Sequence, residues 1–381
     1  MKIVYILPQV AQKAGTERVF VDKMNYLAET VGYEVTLLTY EQGQHPVAFP
    51  LSPNVRHIDL NVRFFPLYKY NLLKRIFLTW KRGKKLQRRY NLFMEYYKPD
   101  IVIATTYHIR EIQLIMRCPF KVSSVLESHI DKRFLEHDAR DRWLHSIYSH
   151  YEMRKMNRIV SKVDLIVALN EEDAVEWEKV GAKTTVITNM AHLNVSGLYC
   201  NTQSKRVIYA GRYCKQKGVR DLFRIWQMVY PQHKDWHLYC YGTGELGVEL
   251  KQTAEVLDMN IHVEEPTNDV FSRYREASVF VLCSVFEPFG LVLPEAMSCG
   301  LPIVAFDCPY GPAKIIADGD DGFLVRNRDL KEFADKLSAL MDDEQLRLRM
   351  GKRAIQSSQR YAPEHIMPHW KMLFEKLCAI Q

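Results

Sequence analysis

Short apolar runs alternate along the chain with longer stretches in which apolar residues return every three or four positions. Ile3–Leu7 leads into a helical pattern over about Thr16–Val31 and then Glu34–Thr39. Pro99-Asp100 introduces Ile101–Ala104, Lys121–Leu126 precedes a helical stretch, and Asp164–Ala168 precedes another. This βαβ alternation predicts a parallel sheet with helices on both faces. Near 190–205 the sequence NMAHLNVSGLYCNTQSK is polar and without period. The alternation then restarts with Arg206–Ala210, a helix over 218–230, Trp236–Tyr241, a helix over 244–257, Ile261–Val263 and Val279–Leu282. A helix over 290–299, Ile303–Ala305 and a run of helices from Asp329 complete it. The expectation is an α/β protein of two doubly wound domains, residues 1–195 and 196–360. A last segment, 361–381, carries a helix over about Pro363–Leu377 that returns to the first domain.

Composition narrows the class. The 381 residues are 47% hydrophobic and 25% charged, enough for two to three cored domains and unlike a disordered or fibrous chain. No repeat of solenoid period is present. The apolar run Ile3–Leu7 is closed by Pro8 and is too short for a signal-peptide core. No stretch approaches the roughly 18 apolar residues of a spanning helix. A cytoplasmic protein is expected, peripheral at most on the inner face of the cell membrane. The 8 cysteines are scattered singly without a CxxC pair, which predicts free, mostly buried thiols and no zinc site.

Charge is unevenly placed. Residues 1–200 carry 29 Lys and Arg against 21 Asp and Glu, whereas the remainder carries 23 against 24. No acidic residue lies between Leu60 and Met94, and Lys69, Lys74, Arg75, Lys81, Arg82, Lys84, Lys85, Arg88 and Arg89 crowd into that window. Leu72, Leu73, Ile76, Phe77, Trp80, Leu86, Tyr90 and Phe93 recur there near helical spacing. Segment 69–93 is therefore a basic amphipathic helix suited to an anionic membrane surface, with Phe77 and Trp80 at the interface. The alternative is a helix packed on the first domain with a solvated basic face. Nucleic acid is not expected, because no basic-aromatic recognition motif accompanies the charge.

The chemistry concentrates in the second half. Phe286-Glu287-Pro288-Phe289-Gly290-Leu291-Val292-Leu293-Pro294-Glu295 follows an apolar strand and opens a helix. Glu287 thus falls at the carboxyl end of a strand, where open α/β sheets bind ligands, and Glu295 eight residues on. Two carboxylates so placed can accept hydrogen bonds from sugar or ribose diols. The backbone N–H groups of Phe289, Gly290 and Leu291 can face an anion. Gly211-Arg212-Tyr213-Cys214-Lys215-Gln216-Lys217-Gly218 follows another strand, with Arg212 and Lys217 expected to converge.

These residues resemble the E-x7-E signature and the G-R-x4-K-G clamp of the GT4 family, retaining glycosyltransferases of the GT-B fold. Tyr241-Gly242-Thr243-Gly244-Glu245, Phe306-Asp307-Cys308-Pro309-Tyr310-Gly311-Pro312 and Asp318-Gly319 with Gly322-Phe323-Leu324-Val325 match the family in the same order. Ala14-Gly15-Thr16-Glu17-Arg18 resembles its first-domain glycine loop, with Ala14 in place of the first glycine.

The resemblance implies two Rossmann-like domains facing each other across a cleft. It also implies transfer of a hexose or N-acetylhexosamine from a nucleotide sugar to a glycan or lipid-linked glycan, in surface polysaccharide or glycolipid synthesis. Arg212 and Lys217 would neutralise the donor diphosphate, Glu295 would hold the ribose and Glu287 the transferred sugar. Gly15 and Thr16 would line the donor site, and the Gly242 turn with Glu264 would flank the base. His129, at the end of the strand-like Val122–Leu126 run, would contact the sugar. A solvent-facing loop histidine is the other reading. UDP is the expected nucleotide. The alternatives are a GDP-mannose-dependent mannosyltransferase and a non-catalytic, membrane-associated nucleotide-sugar-binding protein. No cofactor and no metal are expected. Asp318, Asp320 and Asp321 suggest turn chemistry.

Overall fold

The computed structural model describes residues 1–107, 109–133 and 153–379. Two compact units divide the chain: Met1–Met190 with Ile366–Gln381, and Ala191–His365.

Unit 1 is a seven-stranded sheet in the order β3-β2-β1-β4-β5-β6-β7, from β1 (Lys2–Leu7), β2 (Glu34–Thr39), β3 (Val55–Asp59), β4 (Ile101–Thr105), β5 (Ser123–Ser128), β6 (Leu165–Ala168) and β7 (Thr184–Val186). Every pairing is parallel. Helices cover both faces of such a sheet, so its inner strands are apolar throughout rather than alternating. β1, β4 and β5 are buried along nearly their whole length. Its helices include α1 (Gly15–Glu29), α2 (Leu72–Tyr97), α3 (Ile109–Met116) and α4 (Glu171–Glu178). The Asn71 side chain accepts a hydrogen bond from Lys74 N at 3.0 Å and starts α2, and Lys98 ends it in the left-handed region.

Unit 2 is a six-stranded parallel sheet in the order β10-β9-β8-β11-β12-β13. Its strands are β8 (Arg206–Ala210), β9 (His237–Tyr241), β10 (Ile261–Glu264), β11 (Val279–Leu282), β12 (Ile303–Asp307) and β13 (Gly322–Arg326). Its helices are α5 (Val219–Val229), α6 (Gly247–Leu257), α7 (Val270–Arg275), α8 (Val292–Ser298), α9 (Pro312–Ile315), α10 (Leu330–Asp342) and α11 (Glu344–Ser358). The final helix, α12 (Pro363–Ala379), places Ile366, Met367, Trp370 and Phe374 in the core of unit 1 beneath β1.

Both sheets share one winding. The chain starts in the middle, runs outward over three strands, then returns to start the other half beside the first strand. The reversal falls between β1 and β4 in unit 1 and between β8 and β11 in unit 2. Loops leaving the carboxyl ends of those two strands diverge to opposite faces and leave a crevice for ligand. Among the described residues no helix is long and apolar enough to cross a membrane.

Candidate functional site

In unit 2 the two loops at the switch point are the Arg212–Lys217 loop after β8 and the Ser284–Glu287 loop after β11. They are stitched together by backbone: Val285 N donates to Gln216 O at 2.8 Å, and Gln216 Nε2 donates to Phe286 O at 3.1 Å. Lys215–Lys217 forms a single 3-10 turn, and Gly218 then enters α5 with φ of 64°. A Cβ on Gly218 would lie 1.9 Å from the carbonyl oxygen of Cys283. Only glycine lets the two loops approach this closely.

Glu287 is the hub of the pair of loops. Lys217 Nζ donates to its Oε2, and Ser284 Oγ donates to the same oxygen at 3.1 Å. Both charged side chains are largely withdrawn from water, at 15% exposure for Lys217 and 8% for Glu287. The Glu287 backbone is fixed from a third side: its N–H donates to Pro309 O at 2.7 Å, and its carbonyl accepts from Tyr310 and Gly311 N–H at 3.0 and 2.8 Å. This ties the segment after β12 to the same locus. Arg328 closes the remaining side, donating through Nη2 to the carbonyls of Cys283 and Ser284 at 2.7 and 2.9 Å while pairing with Asp221 at 2.6 Å.

The expected convergence of Arg212 on Lys217 takes another form. Arg212 is exposed and its Nη2 donates to Gln216 Oε1 at 3.2 Å, while Lys217 turns to Glu287. One basic group is held on an acid inside the loops and the other is presented to solvent. Glu295 is buried in the first turn of α8, which begins at Val292 rather than near Gly290. Phe289 is buried against Tyr361, with ring centroids 5.3 Å apart, and Gly290 takes φ of 91°. Phe289, Gly290 and Leu291 therefore form the turn between the two glutamates.

The Gly242 turn packs on the first loop. A Cβ on Gly242 would meet Gly211 O at 1.9 Å, and Gly242 N donates to Glu264 O at 3.2 Å. Tyr213 reaches under both, its hydroxyl donating to the carbonyls of Cys240 and Glu264 at 2.6 and 2.7 Å. Burial pushes the Tyr213 phenol well above its ordinary pKa. Gly211, Gly242 and Glu264 are thus adjacent, with the Glu264 side chain exposed.

In unit 1 the switch point holds a cavity of about 190 Å³, with Leu7 and Pro8 on the β1 side, Thr105 and Tyr107 on the β4 side, and Thr16 and Phe20 from α1. Gly15 is the first residue of α1, and Thr16 Oγ1 lies 3.1 Å from the Tyr107 hydroxyl. His129 is not a solvent-facing loop residue. It is 7% exposed, packs edge-on against Phe20 at 4.8 Å and places Nε2 2.9 Å from Glu127 Oε2. The same oxygen takes Lys23 Nζ, and Lys23 lies 3.8 Å from the centre of the Trp370 ring. Burial pushes the Glu127 carboxyl up, but the Lys23 charge and His129 more than reverse this and hold it below the usual range. Burial lowers the Lys23 ammonium. The other histidines near this stretch, His108, His137, His145 and His150, lie outside the described residues, as does most of the helical stretch expected after β5.

The Asp318–Asp321 acids serve their turn. Asp318 Oδ1 accepts from Leu324 N at 3.0 Å, Asp321 Oδ1 from Ala317 N at 2.8 Å, and Asp320 pairs with Arg353 at 3.0 Å. The cysteines are free, and burial pushes the Cys308 thiol up to about 12.

Two doubly wound parallel sheets, one in each unit, are the architecture of the GT-B fold. The comparisons make the class specific. Residues 204–343, most of unit 2, match the family "Glycosyl transferases group 1". An uncharacterized glycosyltransferase of Haemophilus influenzae is 26% identical over 97% of this chain and 99% of its own length. The amylovoran biosynthesis glycosyltransferase AmsD of Erwinia amylovora is 35% identical over 44% of this chain, a match that spans about half of AmsD (47%). S. aureus TarM, solved in complex with fondaparinux, alpha-GlcNAc-glycerol and UDP, superposes with a TM-score of 0.77 over 98% of this chain and 99% of its own, at 14% identity. The chain is a glycosyltransferase of the GT-B fold whose second unit matches the group 1 family.

Proposed function

We propose that the chain transfers a hexose or N-acetylhexosamine from a UDP-sugar, with retention of the anomeric configuration, to a glycan or lipid-linked glycan in surface polysaccharide or glycolipid synthesis. The carrying observation is the unit 2 switch point, where Lys217 rests on Glu287 and Arg212, bonded to Gln216, is exposed on the same loop. A diphosphate entering there meets Arg212 first. It then competes with Glu287 for Lys217, whose short charge-assisted bond is thereby exchanged rather than lost. The freed Glu287 carboxylate, still held by Ser284, is available to hydroxyls of the transferred sugar. Glu295 takes the ribose hydroxyls, Phe289, Gly290 and Leu291 supply backbone donors, and Gly242 with Glu264 borders the base. UDP bound in TarM, which shares the fold, supports the choice of nucleotide.

As the bond to the anomeric carbon breaks, negative charge grows on the departing diphosphate, and Arg212 and Lys217 stabilise it in place of a metal ion. The acceptor hydroxyl attacks from the same face and gives its proton to that phosphate, so no protein nucleophile is required. His129, oriented by Glu127, serves the substrate side of unit 1 with Gly15 and Thr16. The enzyme works in the cytoplasm, peripherally at the inner face of the cell membrane. Nucleoside diphosphate release from UDP-glucose, UDP-N-acetylglucosamine and GDP-mannose, with and without EDTA, tests this reading. Turnover with a UDP-sugar, unaffected by EDTA and about ten- to a hundredfold slower in Lys217→Ala and Arg212→Ala, is expected. Turnover with GDP-mannose alone would overturn the nucleotide assignment. Binding without turnover of any donor would overturn the activity.

A further inference from the structure

The apolar positions of α2 do not form one face. Leu86, Tyr90 and Met94 point inward and join the core of unit 1. Leu73, Ile76, Phe77 and Trp80, spaced i, i+3, i+4 and i+7, form a separate stripe in which every side chain is more than half exposed. A helix on a globular unit normally turns such a stripe to the core. Here the inward contacts of the first turns come from Leu78, half-buried on the core, and from Arg82, which donates to Arg63 O. The outward stripe is left to something else.

What it meets is constrained by charge. Past Trp80 the same side of the helix opens into a groove of about 670 Å³ with Lys84 and Arg88 on α2 and Arg117 opposite. The Lys84 ammonium stands 3.9 Å from the centre of the Trp80 ring, so the basic and aromatic parts are contiguous. Arg117 is positioned by its backbone, whose carbonyl accepts from Gln87 Nε2 at 3.4 Å. No acidic residue occurs from Leu60 to Met94, and Glu95 comes only at the far end of the groove. A second copy of this chain would bring two such basic faces together and is disfavoured. A surface that is apolar within and anionic at its boundary matches both halves.

We infer that α2 docks on an anionic lipid bilayer. Leu73, Ile76, Phe77 and Trp80 enter the headgroup–acyl boundary, and Lys81, Lys84, Lys85 and Arg88 lie in the headgroup layer. The groove between α2 and Arg117 holds a lipid phosphate. This gives the peripheral location proposed above a structural basis. It involves no residue of the unit 2 switch point, so its failure would leave nucleotide binding untouched.

The test is sedimentation of the full chain with vesicles of phosphatidylcholine alone and with about 30% phosphatidylglycerol. Binding to the anionic vesicles alone, abolished near 0.5 M salt, is expected. Each basic side chain near the surface strengthens binding about fivefold, so Lys81→Gln/Lys84→Gln/Lys85→Gln/Arg88→Gln should weaken it several-hundredfold. Phe77→Ser/Trp80→Ser should weaken it more than tenfold. Both variants alter exposed positions, so their thermal midpoints and UDP-induced shifts should match wild type. Displacement from vesicles by millimolar inorganic phosphate would assign the groove to free phosphate and overturn the lipid site. Equal binding to both vesicle types, no binding to either, or a dimer broken by Phe77→Ser/Trp80→Ser would overturn the inference.

Discussion

Glu287→Gln tests the exchange of partners at Lys217. The substitution keeps the shape of the side chain and its hydrogen bond from Ser284 but removes the charge that Lys217 rests on. Breaking a fully buried pair by deleting one partner costs about 3–5 kcal/mol, and an exposed pair 0–1 kcal/mol. With Lys217 15% and Glu287 8% exposed, the cost should be about 2 kcal/mol. At roughly 2–4 °C per kcal/mol for a unit the size of Ala191–His365, the ligand-free midpoint should fall by about 4–8 °C. UDP at a hundred times its dissociation constant adds about 2.7 kcal/mol to wild type. In the variant it also restores a partner to a desolvated cation. Its UDP-induced rise should therefore exceed that of wild type by up to about 2 kcal/mol, while its affinity for the intact UDP-sugar falls. Scanning calorimetry across a UDP titration reads both quantities. An unchanged ligand-free midpoint would show that the pair does not stabilise unit 2. A UDP-induced rise no larger than that of wild type would refute competition between Glu287 and the diphosphate for Lys217.

Other expectations follow from neighbouring features. Arg212→Ala should leave the ligand-free midpoint within a degree of wild type, because the side chain is exposed, yet weaken UDP about ten- to a hundredfold in isothermal titration. Gly218→Ala would force a Cβ to within 1.9 Å of Cys283 O at φ of 64°, so both loops must shift, and calorimetry should show a lower midpoint together with loss of UDP binding. The Glu127 carboxyl is held below its ordinary value in the folded state. Its contribution is therefore complete above an unfolded pKa of about 4.3 and lost as pH falls through the native value; Glu127→Gln should flatten the decline of the midpoint between about pH 5 and pH 3. Asp131 has the opposite sign: burial and the Asp173 charge push it up to about 6. Stability is then lost as pH rises through 6, and Asp131→Asn should raise the midpoint at pH 7.5 but not at pH 4.

The interior strands were legible because parallel strands buried on both faces read as unbroken apolar runs. Glu34–Thr39, Arg206–Ala210 and Val279–Leu282 fall where the pattern puts them. The edges were not. β3 is Val-Arg-His-Ile-Asp and β7 only Thr-Thr-Val, held by register with a neighbour rather than by their own hydrophobicity. β13 was visible only as a family motif, its period hidden by the Asp-Gly turn before it. For α2, spacing gave the helix but not its two faces, since Leu86 and Trp80 are equally apolar and only packing tells them apart. Of the residues given by motif, Arg212, Lys217 and Glu287 lie at the unit 2 switch point and Gly15 and Thr16 at that of unit 1, whereas Gly242, Glu264 and His129 lie at the ends of neighbouring strands. Those that orient them were missed: Ser284 and Gln216 are unremarkable polar residues in sequence. Arg328 lies 41 residues beyond Glu287, and Lys23 lies on a helix whose pattern gives no reason to bury a lysine. Glu127 could have been suspected, as a carboxylate inside a strand buried at every position must have a charged partner.

The central claim, that the unit 2 switch point is a UDP-sugar site, is tested most directly by isothermal titration of UDP, GDP and ADP into wild type and Glu295→Ala. Saturable binding of UDP alone, weakened at least tenfold in Glu295→Ala while that variant keeps its fold, is the predicted result. Absence of binding by any nucleotide at millimolar concentration, or UDP affinity unchanged in Glu295→Ala, would contradict it.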